Sequence, residues 1–139
     1  MRQQRKAFTI AELMVVILII GILAAITSPL MKARVDKSKW TEACTSAGII
    51  RTAIRNYASE TSVANAQTLV GTNLNDHTVQ NLLDFIPEDL EGTYFSPGDY
   101  EITSVNSDGI AEITVTGGSK ENSPSGSCVL QTDGKWVIQ

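Results

Sequence analysis

A chain of 139 residues with a formal net charge of −4 and a single histidine has little room for several chemistries. The acidic balance argues against nucleic-acid binding, which needs a basic patch on an exposed face, and His77 has no nearby cysteine or paired acids to complete a metal site. No glycine-rich phosphate loop, nucleophile elbow or internal repeat occurs, so the chain reads as a non-enzyme with one modest core.

The chain begins with the basic hexapeptide Met1-Arg-Gln-Gln-Arg-Lys6, followed by Ala7. Residues 8–31 then form an apolar segment of 24 residues. As a helix it would be about 36 Å long against a hydrocarbon core of about 30 Å, enough to span a bilayer. Arg2, Arg5 and Lys6 keep the N-terminus cytoplasmic and send everything after Met31 outward, with Lys32, Arg34, Lys37 and Lys39 opposing that bias. A cleaved secretory signal is the competing reading, but Pro29 follows Thr27-Ser28 and no Ala-x-Ala occurs. Inside the segment stands one acid, Glu12, just before the unbroken apolar run 13–26. A carboxylate in hydrocarbon costs about 2.5 kcal/mol or more, which makes Glu12 a functional residue by default.

The stretch Ala7-Phe-Thr-Ile-Ala-Glu-Leu-Met-Val-Val-Ile-Leu-Ile-Ile-Gly-Ile-Leu-Ala-Ala-Ile26 resembles the N-terminal signature of type IV pilins and type II secretion pseudopilins. The resemblance implies a leader, residues 1–7, cut by a prepilin peptidase between Ala7 and Phe8 on the cytoplasmic face. It also implies N-methylation of Phe8 by the same enzyme and handling by an inner-membrane assembly platform. Glu12 becomes the fifth residue of the mature chain, and Gly21 and Pro29 match the family's helix-weakening positions. The family normally carries Gly before the cut; Ala7, the next smallest side chain, implies slower processing.

Cleavage before Phe8 would create an amine four residues from Glu12. In a bundle of parallel, axially staggered helices, the carboxylate of one copy can meet the amine of the next. A buried unpaired charge is costly and a hydrogen-bonded pair recovers much of that cost, so the pair would favour one stagger over others. Pairing of Glu12 with its own terminus, one helical turn away, is the alternative.

Helical spacing continues beyond the membrane. Trp40, Ala43, Ala47, Ile50, Ile54 and Tyr57 recur at steps of three and four, with Lys37, Lys39, Glu42, Arg51 and Arg55 on other faces. Residues 8–59 therefore read as one long helix, apolar all round over 8–31 and amphipathic over 32–59. Pro29 predicts a kink or local unwinding over 25–29, and Gly21 a second weak point. Residues 58–75 read as a polar connection. A short helix is expected over 77–86, with Asn75 or Asp76 as N-cap, Val79, Leu82, Leu83 and Ile86 inward, and Pro87 ending it. Strands are expected at 99–105, 110–116, 127–131 and 135–138, with hairpin turns at 106–109 and 132–134 and a flexible loop at 117–126. The expected fold is thus α+β and pilin-like. A long N-terminal helix, membrane-spanning in its first half, packs on a four-stranded antiparallel meander in a globular head, 60–139.

Cys44 and Cys128 both fall in the exported part, where oxidation is permitted. A bridge between them would join helix to third strand across 84 residues of sequence, worth about 4 kcal/mol by loop entropy. Two buried free thiols are the alternative. Residues 32–55 carry six basic and two acidic side chains, and residues 56–139 two basic and twelve acidic, an imbalance suited either to attraction between staggered copies or to plain solubility. Asp84, Glu88, Asp89, Glu91, Asp99 and Glu101 offer oxygens for calcium but lack the spaced pattern of a dedicated loop, so no cofactor is expected. The resemblance implies a subunit of a helical homo-oligomeric filament, held in a bacterial inner membrane before assembly. That filament is a type IV pilus at the cell surface or, alternatively, a periplasmic type II secretion pseudopilus. A monomeric membrane-anchored binding module is the third reading, and it has no use for Glu12.

Overall fold

The computed structural model describes residues 8–139. The chain divides into two compact units, Met1–Val35 and Asp36–Gln139. Helix α1 (Ile10–Glu60) begins in the first and ends in the second. In the first unit every described side chain from Phe8 to Thr27 is exposed, and the apolar stretch is long enough to cross a bilayer.

The second unit is built from the C-terminal part of α1, two short helices, two 3-10 turns and a sheet. Helix α2 (Val63–Gln67) and helix α3 (His77–Leu82) precede the 3-10 turns Pro87–Leu90 and Pro97–Asp99. Strands β1 (Tyr100–Val105), β2 (Ala111–Thr116), β3 (Ser127–Leu130) and β4 (Trp136–Ile138) pair antiparallel in sequence order, the expected α+β meander. Strict alternation buries Ala111, Ile113 and Val115 of β2 and Cys128 and Leu130 of β3. In β1 a bulge between Ile102 and Ser104 resets the phase, so Tyr100, Ile102 and Val105 all face inward.

That buried face meets Trp40, Ala43, Ala47, Ile50, Ile54 and Ala58 of α1, each less than a tenth exposed. Tyr57, expected inward, is half-buried at the margin. An aromatic row runs through this core: Trp40 to Phe95 at 5.2 Å between ring centroids, and Phe95 to Tyr100 at 6.4 Å. The outer edge of β1 is covered by residues 71–74, through Gly71 N to Ile102 O at 2.8 Å, Ile102 N to Thr72 O at 3.1 Å and Leu74 N to Tyr100 O at 3.1 Å. The opposite edge, β4, is short and continues in one further pairing of Gln139 with Ser127.

Three expectations are corrected. Residues 58–75 are not an irregular connection, since α1 extends to Glu60 and α2 follows, capped by the Ser62 hydroxyl on Asn65 N. The helix over 77–86 stops at Leu82. Leu83 is its C-cap and Asp84 takes a left-handed conformation with φ 61°. Val79 and Leu83 are therefore buried as expected, whereas Leu82 and Ile86 are exposed. Third, of the kink or local unwinding expected over 25–29, the unwinding does not occur in the single chain, since α1 runs through Gly21 and Pro29 without interruption.

Candidate assembly site on the N-terminal helix

The first turn of α1 is closed by two side chains. Thr9, just before the helix, donates its backbone N–H and its hydroxyl to Glu12 Oε2 at 2.9 and 2.8 Å, and the Thr9 hydroxyl accepts from Glu12 N–H at 3.2 Å. This reciprocal arrangement is a capping box, which satisfies orphan donors at a helix start and sets an acid where the helix dipole favours it. The T-x-x-E spacing at 9–12, legible in the sequence, identifies Thr9 as a site residue that attention to Glu12 alone overlooks.

Phe8 lies next to this box and is 79% exposed. Ala7, the other half of the expected cleavage site, lies outside the described residues. Beyond Glu12 the surface is apolar on every face, from Leu13 at 60% exposure to Ile26 at 57%. Gly21 opens a clear spot on it, with no other group within 4 Å of where a Cβ would stand. Near Pro29, the Thr27 hydroxyl donates to the Leu23 carbonyl at 3.0 Å. A helix exposed on all sides, with its acid held locally at one end, is suited to lipid as a monomer and to like helices as a polymer.

The remaining predicted positions fall in the second unit. Cys44 and Cys128 are brought together with both thiols free. His77 is exposed at the start of α3, with Nδ1 3.1 Å from Gln80 Oε1. Of the six acids offered for calcium, three are engaged separately: Asp99 accepts from Ser96 and Ser119, Asp89 caps Ile86 N, and Glu91 pairs with Lys120 at 2.5 Å. Among the described residues no three histidine, cysteine or acidic side chains are grouped to hold a metal ion.

Comparison with known proteins bears on the same end of the chain. Residues 2–28 match the family described as the prokaryotic N-terminal methylation motif. The chain is also similar to fimbrial protein EcpC of Eikenella corrodens, with 44% identity over 63 residues. That alignment covers 45% of this chain and 41% of the fimbrial protein, so the chain spans less than half the length of this relative. No solved structure matches. The chain thus carries an N-terminal methylation motif, has a fimbrial homologue, and is consistent with the type IV pilin family.

Proposed function

We propose that the protein is the structural subunit of a type IV pilus-like filament. The observation that carries this reading is Glu12, the one acid of the apolar segment 8–31, standing within a methylation motif that spans residues 2–28. In this reading the leader 1–7 is removed by cleavage between Ala7 and Phe8, and the new Phe8 amine is methylated. The product waits in the inner membrane with residues 8–31 spanning it and the head outside. While the chain is uncut, the Phe8 nitrogen is an amide and Glu12 rests on Thr9. After the cut, an assembly platform lifts the subunit into a growing fibre. Its apolar helix joins a core of like helices, and Glu12 exchanges Thr9 for the Phe8 amine of an adjacent copy. Chemistry is done on this protein, not by it.

Intact-mass analysis of the mature protein tests the processing: a chain beginning at Phe8 with one added methyl is expected. Glu12→Ala tests the register role. Cleavage should persist while fibres are lost; fibres of normal length from that variant would overturn the reading. Electron microscopy of labelled cells should show fibres beyond the envelope. Their absence, with a secretion defect on deletion, would indicate a pseudopilus instead.

A further inference from the structure

We propose that Cys44 and Cys128 form one exchangeable intramolecular disulfide, a clip that fastens the head's sheet to its helix. Cys44 sits on α1 between the buried Ala43 and Ala47 and is itself half-buried at the edge of the core. Cys128 lies in β3 between Val115 of β2 and Ile138 of β4, with no exposed surface. Both side chains pack at the same helix–sheet core, close enough for each to perturb the other's ionisation. They are the two cysteines of the whole chain, each on a separate layer, and the core brings them side by side. With no third ligand grouped beside them among the described residues, the pair is a dithiol and not part of a metal site.

The arrangement assigns an order to the exchange. Burial raises the pKa of the Cys44 thiol. Cys128 is pushed further, to about 12, by burial first and then by the neighbouring Cys44 charge. Cys44, accessible and the more readily ionised of the two, loses its proton and attacks one sulfur of an external disulfide donor. It becomes a mixed disulfide and releases one donor thiolate. Cys44 then carries no charge, which removes that part of the barrier to ionising Cys128. Cys128 gives up its proton and attacks the Cys44 sulfur, expelling the second donor thiolate. Two protein thiols are thereby oxidised by two electrons, and the donor disulfide is reduced to two thiols. A low-molecular-weight disulfide or an oxidised thiol–disulfide oxidoreductase supplies the donor. Availability of such donors in the cell rests on the exported head of the filament reading, whereas the closing geometry does not.

The test uses the full chain in detergent, reduced, incubated with oxidised glutathione, trapped with N-ethylmaleimide and digested without reductant. The peptides bearing Cys44 and Cys128 should appear as one linked species from monomeric protein. Reductant should then lower the melting temperature by about 10 °C or more, with no such response in the Cys44→Ala, Cys128→Ala double variant. In Cys128→Ala alone, exchange should stall with glutathione attached at Cys44. Two alkylated thiols after oxidation, a lasting glutathione adduct in the unaltered chain, or a bond between chains would each overturn the clip. These mass readouts on the unaltered chain stand whether or not the variants fold. Free thiols trapped in cells, from protein that closes the bond in vitro, would count against export of the head and leave the clip standing.

Discussion

Glu42 holds a loop that lies 52 and 53 residues downstream. Its Oε1 accepts the backbone N–H groups of Tyr94 at 2.9 Å and Phe95 at 3.2 Å, and so places Phe95 against Trp40 and Tyr100. Glu42→Ala leaves two half-buried donors unmet and should cost about 1–3 kcal/mol in the urea midpoint, with Glu42→Gln costing less because an acceptor remains. Gly92 is bound to the same device. A Cβ there would stand 2.1 Å from the Glu42 carboxylate, so Gly92→Ala should weaken the head in the same way. Tyr100 makes a separate prediction. Its hydroxyl, buried and directed towards Ser46, finds no hydrogen bond of ordinary geometry, and burial lifts its pKa from 10 to about 12. Below pH 10 the phenol is neutral in both folded and unfolded chains. Between 10 and 12 only the unfolded chain ionises, so stability falls as pH rises, by up to about 2–3 kcal/mol. Alkaline unfolding followed by near-ultraviolet circular dichroism should show this loss, and Tyr100→Phe should shift the transition to higher pH.

At the scale of elements, what could be read in advance had a period. The strands were legible because β-branched and polar residues alternate between glycine-bearing turns, and α1 because small and bulky apolar residues recur every three or four positions. Local chemistry that cancels a period was harder to read. The bulge in β1 adds one residue and returns Val105 to the core, where strict alternation from Ile102 would have placed Ser104. Leu82 and Ile86 fit a helical face, yet α3 ends at Leu82 and Phe85 N–H turns back to the Gln80 carbonyl at 2.9 Å. Nothing in their spacing records that stop. Glu42 and Arg51 look like solvated charges by face, but both hold backbone carbonyl or N–H groups that only the folded chain brings near. The left-handed Asp84 makes the stop of α3 testable. Asp84→Val should destabilise the head by about 1–2 kcal/mol, whereas Asp84→Asn should be near neutral, as read from thermal melts.

For the molecule as a whole, the core belongs to the second unit. Every buried apolar residue from Trp40 onward lies within Asp36–Gln139, and among the described residues the first unit contributes none. A fragment of residues 36–139 should therefore fold by itself, monomeric and cooperative in a thermal melt. A molten fragment, with secondary structure but no near-ultraviolet signal, would show that the division of labour is wrong. The site divides in the same manner. Glu12 and its apolar surroundings were legible because charge in a lipid-facing segment is conspicuous. The Thr9 partner is written in the T-x-x-E spacing at 9–12, but its reciprocal bonds with Glu12 show only once the first turn is built.

The covered flank of the sheet has one more consequence. With residues 71–74 laid along β1, sideways recruitment of another chain's backbone is confined to a ledge of three residues at β4. Where many copies are crowded together, that geometry guards against amyloid-like fusion of neighbouring heads. Association is then left to side chains, whose contacts can be released again.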